Sequence, residues 1–485
     1  MKTLQDILHN IKIEKILNDQ QSLEIKGIAF DSRKVKDDYV FVAEKGTETD
    51  GHLFIDKAIT NGAKVIVLED LPKEINENIV YVKVKDSSLA LGIIACNYYD
   101  NPSKKIKLIG ITGTNGKTTT VTLLYRMFMS MGYNCGLLST IENIINDKVL
   151  HTERTTPDSL TINLLLYQMV MEGCDYAFME VSSHAVVQNR IAGLKFFGAI
   201  FSNITLDHLD YHKTFDNYIK AKKKFFDMLP AKAFALTNID DKHGLVMLQN
   251  TKAKKYTYSL SSPKADFRAK IIDDSFDGLH IDIDGKEMFA RLIGKFNAYN
   301  LLAIYSCAIL SGMEKEDVLV KLSALEPARG RFECYRLQSG AVAIIDYAHT
   351  PDALENVLNT INEINLLKKN EVFTVVGCGG DRDKSKRPIM AAIAQKLSNT
   401  LILTSDNPRT EKPEDILEDM KKGLKEDKAN HKHFCITDRR EAIHLACTLA
   451  KKDDIILVAG KGHEDYQEIN HVKHHFDDRE EILKY

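Results

Sequence analysis

At 485 residues the chain is too long for one hydrophobic core, and its length points to about three domains. The net charge of −3, from 65 basic against 68 acidic residues, excludes a global pull toward nucleic acid or an anionic membrane, so any phosphate site must be local. Eight cysteines scattered from Cys96 to Cys447 form no C-x-x-C pair and read as reduced, buried thiols rather than a disulfide frame or zinc site. No uncharged apolar run reaches the length of a membrane span, and the first ten residues lack the apolar core of a secretory signal. The expectation is a cytoplasmic protein with no membrane insertion and no nucleic-acid partner.

In chain order, residues 1–103 hold short predicted strands at 28–30, 39–43, 65–67 and 80–84, and close at the turn-rich Asp100-Asn101-Pro102-Ser103. Residues 104–325 form a second series, with strands ending at Ile111, Glu180 and Ile204, each followed by a polar loop and a helical pattern. Residues 326–485 form a third, with strands at 342–346, 372–376, 400–404 and 455–459. These short β-branched runs, most of them followed by amphipathic helices, predict parallel sheets with crossover helices. The fold class is therefore α/β. A smaller N-terminal α/β domain precedes a central P-loop-type, mostly parallel sheet with helices, and a C-terminal Rossmann-like α/β domain follows. Ligands in such sheets bind beyond the carboxyl ends of the strands, where most of the polar motifs fall.

The most informative motif follows the strand predicted at 106–111. Gly113-Thr114-Asn115-Gly116-Lys117-Thr118-Thr119 has the layout of a phosphate loop that opens a helix predicted at 118–131. Lys117 supplies a cation for the β- and γ-phosphates, and the Thr118 hydroxyl is placed for Mg²⁺. Only two residues separate Gly113 and Gly116, fewer than in the common G-x-x-x-x-G-K-[ST] pattern. Further on, Glu180-Val-Ser182-Ser-His184 ends an apolar strand in a carboxylate suited to a divalent ion. Asn203-Ile-Thr205-Leu-Asp207-His208-Leu-Asp210-Tyr211-His212 ends another. A helix predicted at 215–228 carries Lys220, Lys222, Lys223 and Lys224; read alone, such a run is a solvated basic face.

The shortened loop resembles the ATP loop of the Mur ligases and folylpolyglutamate synthetases, which join a carboxylate to an amine at the expense of ATP. Glu-Val-Ser-Ser-His, Asp-His-Leu-Asp-Tyr-His and Tyr218-x-x-Ala221-Lys222 resemble three consecutive Mur ligase signatures. The resemblance implies Lys117, Glu180, His208 and Lys222 as catalytic residues. Thr118, Glu180, His208 and a carbamylated Lys222 would hold Mg²⁺, and a carbamate suits that role because it turns a cation into an oxygen ligand. It further implies an ATP site from Gly113 to Thr119 together with Asn297 and Arg331. Asn297 lies in Leu292-Ile-Gly-Lys-Phe-Asn297-Ala-Tyr-Asn300, which is similar to the family's segment near the adenine.

Phe30-Asp31-Ser32-Arg33 and the 41–52 stretch around Gly46-Thr47 and Asp50-Gly51-His52 resemble the uridine-nucleotide domain of the members that add the third peptide residue. In that reading Ser32, Thr155, Thr156, Ser182, Gln188 and Arg190 hold a UDP-N-acetylmuramoyl dipeptide. Four strand-end motifs in the last domain resemble the same members: Asp346-Tyr-Ala-His349, the 377–388 glycine-rich loop, Asp406-Asn407-Pro408-Arg409 and Gly460-Lys461-Gly462-His463-Glu464. The glycines at 377–380 do not form the dinucleotide fingerprint G-x-G-x-x-G, which disfavours a dehydrogenase. Asp406, Asn407, Arg409, Gly460 and Glu464 would bind the added amino acid, with either Arg382 or Arg387 as a second carboxylate contact. Asp-Asn-Pro-Arg is the version associated with a diamino dicarboxylic acid, meso-diaminopimelate, whose far carboxylate an Arg can pair bidentately. L-Lysine or meso-lanthionine as the amine, a folylpolyglutamate-synthetase-like ligase, and a nucleotide-dependent binding protein are the alternatives. The chain is expected to act as a monomer.

Overall fold

A computed structural model describes residues 2–46, 49–150, 152, 154–365, 370–425 and 432–485. Two compact units divide it, Met1–Gly113 with Leu124–Ile204 and His208–Thr257, and Thr114–Leu123 with Thr205–Asp207 and Tyr258–Tyr485.

The first unit holds two main sheets besides the short antiparallel pair Lys2–Thr3 and Glu24–Ile25. The N-terminal one has the order Ile13–Leu17, Val80–Val84, Ala63–Leu68, Tyr39–Val42, Gly27–Ala29, with all pairs parallel except the first. Its strands alternate side to side with both faces buried. Val40, Val42, Val65 and Val67 pack on one side with Leu91 and Ile94 of the helix Ser87–Tyr98, while Phe41, Ile66, Leu68 and Tyr81 pack on the other. That is why these strands read as continuous apolar runs.

In the second sheet the strands run Lys148–Leu150, Asn143–Ile145, Cys135–Leu138, Tyr176–Glu180, Lys107–Thr112, Gly198–Phe201 and Phe234–Asn238, and the pairs from Cys135–Leu138 to Phe234–Asn238 are parallel. The strand order reverses at Lys107–Thr112: the chain leaves it to build one side, then returns to build the other. The carboxyl ends of Lys107–Thr112 and Tyr176–Glu180 are therefore where a sheet of this topology takes a ligand. Register puts Glu180 opposite Ile111 at that rim.

Within the second unit, Phe267–Ser275, Gly278–Ile283 and Lys286–Ala290 form an antiparallel meander. The C-terminal sheet has the order Glu333–Arg336, Val342–Asp346, Ile455–Ala459, Val372–Val376, Thr400–Leu403, Lys432–Cys435, parallel except at Glu333–Arg336. Val342, Ile344, Leu401 and Leu457 face one core, and Ala343, Ile345, Ile402 and Val458 face the other. Ile455–Ala459 is inserted between the first two parallel strands formed, so the loops after Asp346, Val376, Leu403 and Ala459 gather at one edge.

The predicted strands at 80–84, 342–346, 372–376 and 455–459 have the observed limits, and the helix expected at 118–131 spans Lys117–Ser130. The strand expected to end at Ile204 stops at Phe201, where polar Ser202 and Asn203 begin the loop. All eight cysteines are free thiols, with Cys334 half-buried, Cys435 exposed and the others buried. Among the described residues no helix is long and apolar enough to cross a membrane. Thr47 lies outside the described residues, as does the side chain of Asp210.

Candidate active site

The first unit's share of the site is built around Glu180. Its strand buries it completely, and Oε1 accepts the Thr140 N–H at 2.7 Å. Oε2 is buried with no hydrogen-bond partner among the described residues. An ionised carboxylate in that setting is costly unless a cation completes it, so the donor set suits a divalent ion. Lys222 is 1% exposed, although its neighbours Lys220 and Lys224 are exposed. Its Nζ donates to the Gly113 carbonyl at 2.7 Å and lies 4.5 Å from the centre of the Tyr218 ring. The solvated face expected from the lysine run therefore holds for Lys220 and Lys224 but not for Lys222. The His208 ring lies on the same Tyr218, with centroids 6.2 Å apart, and its backbone is left-handed at φ 54°. Strain of that kind persists where the surroundings fix it, often at functional sites. Among the described residues no three His, Cys, Asp or Glu side chains form a metal cage by themselves.

The expected UDP-substrate residues adjoin Glu180. The Thr140 hydroxyl donates to Thr155 Oγ1 at 3.1 Å, and the Thr156 hydroxyl donates to the Glu180 carbonyl at 2.8 Å while accepting the Ser182 N–H at 3.1 Å. The Ser182 hydroxyl caps the helix Ser183–Val187. Arg190 donates from Nη1 to the Thr156 carbonyl at 2.7 Å and from Nε to Gln188 Oε1 at 3.0 Å; Gln188 donates onward to the Tyr211 hydroxyl at 3.2 Å. Ser32 is buried at the start of the short helix Ser32–Lys34, which Asp31 caps. Glu44 was not singled out from sequence. Burial, with Asp158 nearby, pushes its carboxyl up to about 7, against the pull of Arg190. A lone Glu after an apolar strand gives no signal of this.

The phosphate-loop residues of the second unit lie at the start of the helix Lys117–Ser130. Gly116 is left-handed at φ 85°, and a Cβ there would sit 2.6 Å from Asn300 Oδ1. Both facts require glycine. In the first unit a Cβ on Gly113 would lie 1.9 Å from the Ser202 hydroxyl. Lys117 Nζ donates to the Thr114 carbonyl at 2.8 Å, folded over its own loop. Asn115 donates to Asp352 Oδ2 at 3.1 Å, and the Thr205 hydroxyl reaches the same oxygen at 2.8 Å. Arg331 donates to the Thr118 hydroxyl at 3.3 Å and stacks 4.7 Å over Tyr347, while its buried Nε has no partner among the described residues. Thr119 is buried. Asn297 is 2% exposed and donates to the Ile293 carbonyl while accepting from Asn300, so it braces the side chain that packs on Gly116.

The C-terminal loops converge as the motifs suggest. Asn407 Nδ2 donates to Glu464 Oε2 at 2.7 Å, and its Oδ1 accepts from Lys461 Nζ at 3.1 Å and from the Glu468 N–H at 2.9 Å. Lys461 is fully buried and lies 3.2 Å from Glu464. Burial, with Asp406 nearby, holds the Glu464 carboxyl above its usual range. Gly460 is left-handed at φ 114°, beside Asp406. Lys461 and Glu468 are given no role by the sequence: the loop after Ala459 turns Lys461 toward Asn407, and the hairpin after residue 465 brings Glu468 there. The two arginines left open differ sharply. Arg387 is fully buried, with Nη2 2.8 Å from Glu411 and Nη1 3.0 Å from Asp419, and Glu411 is held down at about 2 chiefly by Arg387. Arg382 is exposed at the mouth of the same loop.

Family models match in the order of these sites: the Mur ligase family catalytic domain over residues 24–99, the Mur ligase middle domain over 111–308, and the Mur ligase glutamate ligase domain over 330–462. The chain belongs to the Mur ligase family. It is 56% identical over 478 residues to the UDP-N-acetylmuramoyl-L-alanyl-D-glutamate–2,6-diaminopimelate ligase of Phocaeicola vulgatus, covering 98% of each chain. The protein of that name from Bacteroides fragilis is 55% identical, over 99% of this chain and 98% of its own. A solved structure of a ligase with this name superposes with a TM-score of 0.71 at 34% identity, covering 100% of this chain and 98% of the other. A MurF from Acinetobacter baumannii shares the fold at 19% identity and a TM-score of 0.63, covering 94% of this chain and 95% of the other.

Proposed function

We propose that the chain is an ATP-dependent ligase joining meso-diaminopimelate to the D-glutamate carboxylate of UDP-N-acetylmuramoyl-L-alanyl-D-glutamate, a step of peptidoglycan precursor synthesis. The observation that carries this is identity of 56% along 98% of the chain with a relative of that name. Three domains, 1–103, 104–325 and 326–485, take the UDP substrate, ATP and the amino acid in turn, and each main sheet supports one of them. The chain acts as a monomer in this reading. The cytoplasm, where ATP is available, is its compartment.

The chemistry runs in two steps. A carboxylate oxygen attacks the γ-phosphorus of ATP, ADP leaves, and an acyl phosphate forms. The neutral amine then attacks the carbonyl carbon, the tetrahedral intermediate expels phosphate with the former carboxylate oxygen, and the amide loses the amine proton. Lys117 and Arg331 hold phosphate charge while the loop at Gly113–Thr119 cradles it. Asn297 steadies the nucleotide side through Asn300. Thr118, Glu180, His208 and a carbamylated Lys222 would hold Mg²⁺, which when bound supplies positive charge to phosphoryl oxygens. The orphaned Glu180 Oε2 supports this assignment. Ser32, Thr155, Thr156, Ser182, Gln188 and Arg190 hold the UDP-dipeptide.

Asp406, Asn407, Gly460 and Glu464 hold the amino end of diaminopimelate, and Arg409 its far carboxylate. Arg382 gives the second carboxylate contact, since Arg387 is committed to Glu411 and Asp419. The test is phosphate release and product mass with the UDP-dipeptide, Mg-ATP, and meso-diaminopimelate, L-lysine or meso-lanthionine in separate reactions. Ligation strongest with diaminopimelate is expected. A preference for lysine would remove Arg409 from the account, and ATP turnover with no amide under any amine would overturn the ligase itself.

A further inference from the structure

The strands Tyr466–Ile469 and Val472–His475 form a hairpin whose turn residues, Asn470 and His471, both have left-handed backbones at φ 48° and 64°. A two-stranded hairpin is marginal by itself, and this one is fastened to the Asp406–Arg409 turn along its first strand. Gln467 Nε2 donates to the Asp406 carbonyl at 2.7 Å, and the Glu468 N–H donates to Asn407 Oδ1 at 2.9 Å. The Arg409 N–H donates to the Glu468 carbonyl at 2.9 Å, and the Asn470 N–H donates to the Arg409 carbonyl at 2.7 Å. These bonds hold Arg409 at φ 51°, a backbone state that a non-glycine residue seldom keeps unaided.

The side chain is oriented as firmly as the backbone. The Glu468 carboxylate forms an ion pair with Arg409 Nε at 3.3 Å, and Nη1 donates to the Gly380 carbonyl at 2.8 Å. Arg409 and Glu468 are each about one-fifth exposed, at 20% and 21%. With Nε against Glu468, the Nη1–Nη2 end of the guanidinium is the edge left to meet a ligand. Among the described residues Nη2 has no hydrogen bond. A planar fork whose plane is already fixed meets a carboxylate bidentately with less ordering cost and more geometric selectivity.

We propose that Glu468 is a specificity-positioning residue, aiming the Nη1–Nη2 end of Arg409 at the distal carboxylate of a diamino dicarboxylic acid. The inference rests on the functional reading above. A competing possibility has the opposite sign: Glu468 as a mere neighbouring negative charge would repel that carboxylate, and its removal would tighten binding.

Steady-state kinetics of the wild type, Glu468→Gln, Glu468→Asp, Arg409→Met and the Glu468→Gln/Arg409→Met double variant separate these cases. Loss of the aim raises KM for meso-diaminopimelate about tenfold in Glu468→Gln, the size of one charge-assisted contact, with kcat within about twofold. KM for ATP and for the UDP-dipeptide stays put, and Glu468→Asp recovers part of the loss. In the Arg409→Met background Glu468→Gln adds nothing further, because the effect travels through Arg409. Thermal unfolding checks that each variant is folded. An unchanged or lowered KM in Glu468→Gln, or an equal rise with Arg409 already removed, overturns the inference while leaving the ligase standing. A wild type that neither ligates diaminopimelate nor binds it by calorimetry overturns the functional reading and this inference together.

Discussion

Glu180 and Lys222 carry opposite formal charges into the first unit's interior, where a buried ion is stable only with several polar contacts. Replacing Glu180 by Gln removes a proposed cation ligand without a change of shape. Phosphate release should fall about a thousandfold or more, while the unfolding midpoint holds or rises because a buried charge is gone. Turnover near the wild-type rate would contradict the metal-ligand role. Glu44 offers a pH test. Its carboxyl is raised from the usual 4.5 to about 7, so the folded state binds its proton more tightly than the unfolded state does. The sign follows: this group favours folding most below about pH 4.5, and that advantage is lost as pH rises toward about 7. Glu44→Gln should match the wild type at pH 4.5 and exceed it at pH 8 by something on the order of 2 kcal/mol, read from urea unfolding at the two pH values. Equal stabilities at pH 8 would contradict it. Glu180 was legible in the sequence through its place in Glu-Val-Ser-Ser-His, the run that resembles a Mur ligase signature. The burial of Lys222 was not, since lysines at 220, 222, 223 and 224 look alike until the helix Phe215–Asp227 turns one of them inward.

The helix Lys386–Leu397 is tied to its neighbour Pro413–Lys421 by Arg387, whose guanidinium meets Glu411 in the preceding loop and Asp419 within that neighbour. Arg387→Met leaves two carboxylates facing an apolar side chain. A loss of about 3 kcal/mol is expected in chemical unfolding, with KM for the amino acid raised only indirectly. A large KM effect at full stability would instead make Arg387 a substrate contact. A second buried pair braces the amino-acid loop: Arg439 meets Asp478 at 2.7 and 2.8 Å and donates to the Ala459 carbonyl at 3.0 Å, one residue before Gly460. The parallel strands of both α/β domains were legible because two-sided burial makes them continuous β-branched runs. The hairpin Tyr466–His475 was not, because it buries no apolar face: Val472–His475 is exposed along its length and so carries no alternation. The hairpin matters most, since it brings Glu468 to Arg409 across 59 positions of sequence.

Across the whole molecule a nearly balanced charge of −3 leaves local sites to select three anionic or zwitterionic substrates. The motifs lie along the sequence in the order of the matched family models, which is why the activity could be read before the folded contacts were known. What the sequence could not supply was which of several similar side chains each loop turns inward: Lys222 rather than Lys220, Arg387 committed to protein rather than to ligand, Lys461 beneath Asn407. The central claim is that ATP activates the substrate's carboxylate before an amine displaces phosphate. Oxygen-18 in the D-glutamate carboxylate of the UDP-dipeptide tests this most directly. With meso-diaminopimelate and ATP, one labelled oxygen should appear in the released inorganic phosphate for each amide formed. Amide formation with the phosphate unlabelled would contradict the account.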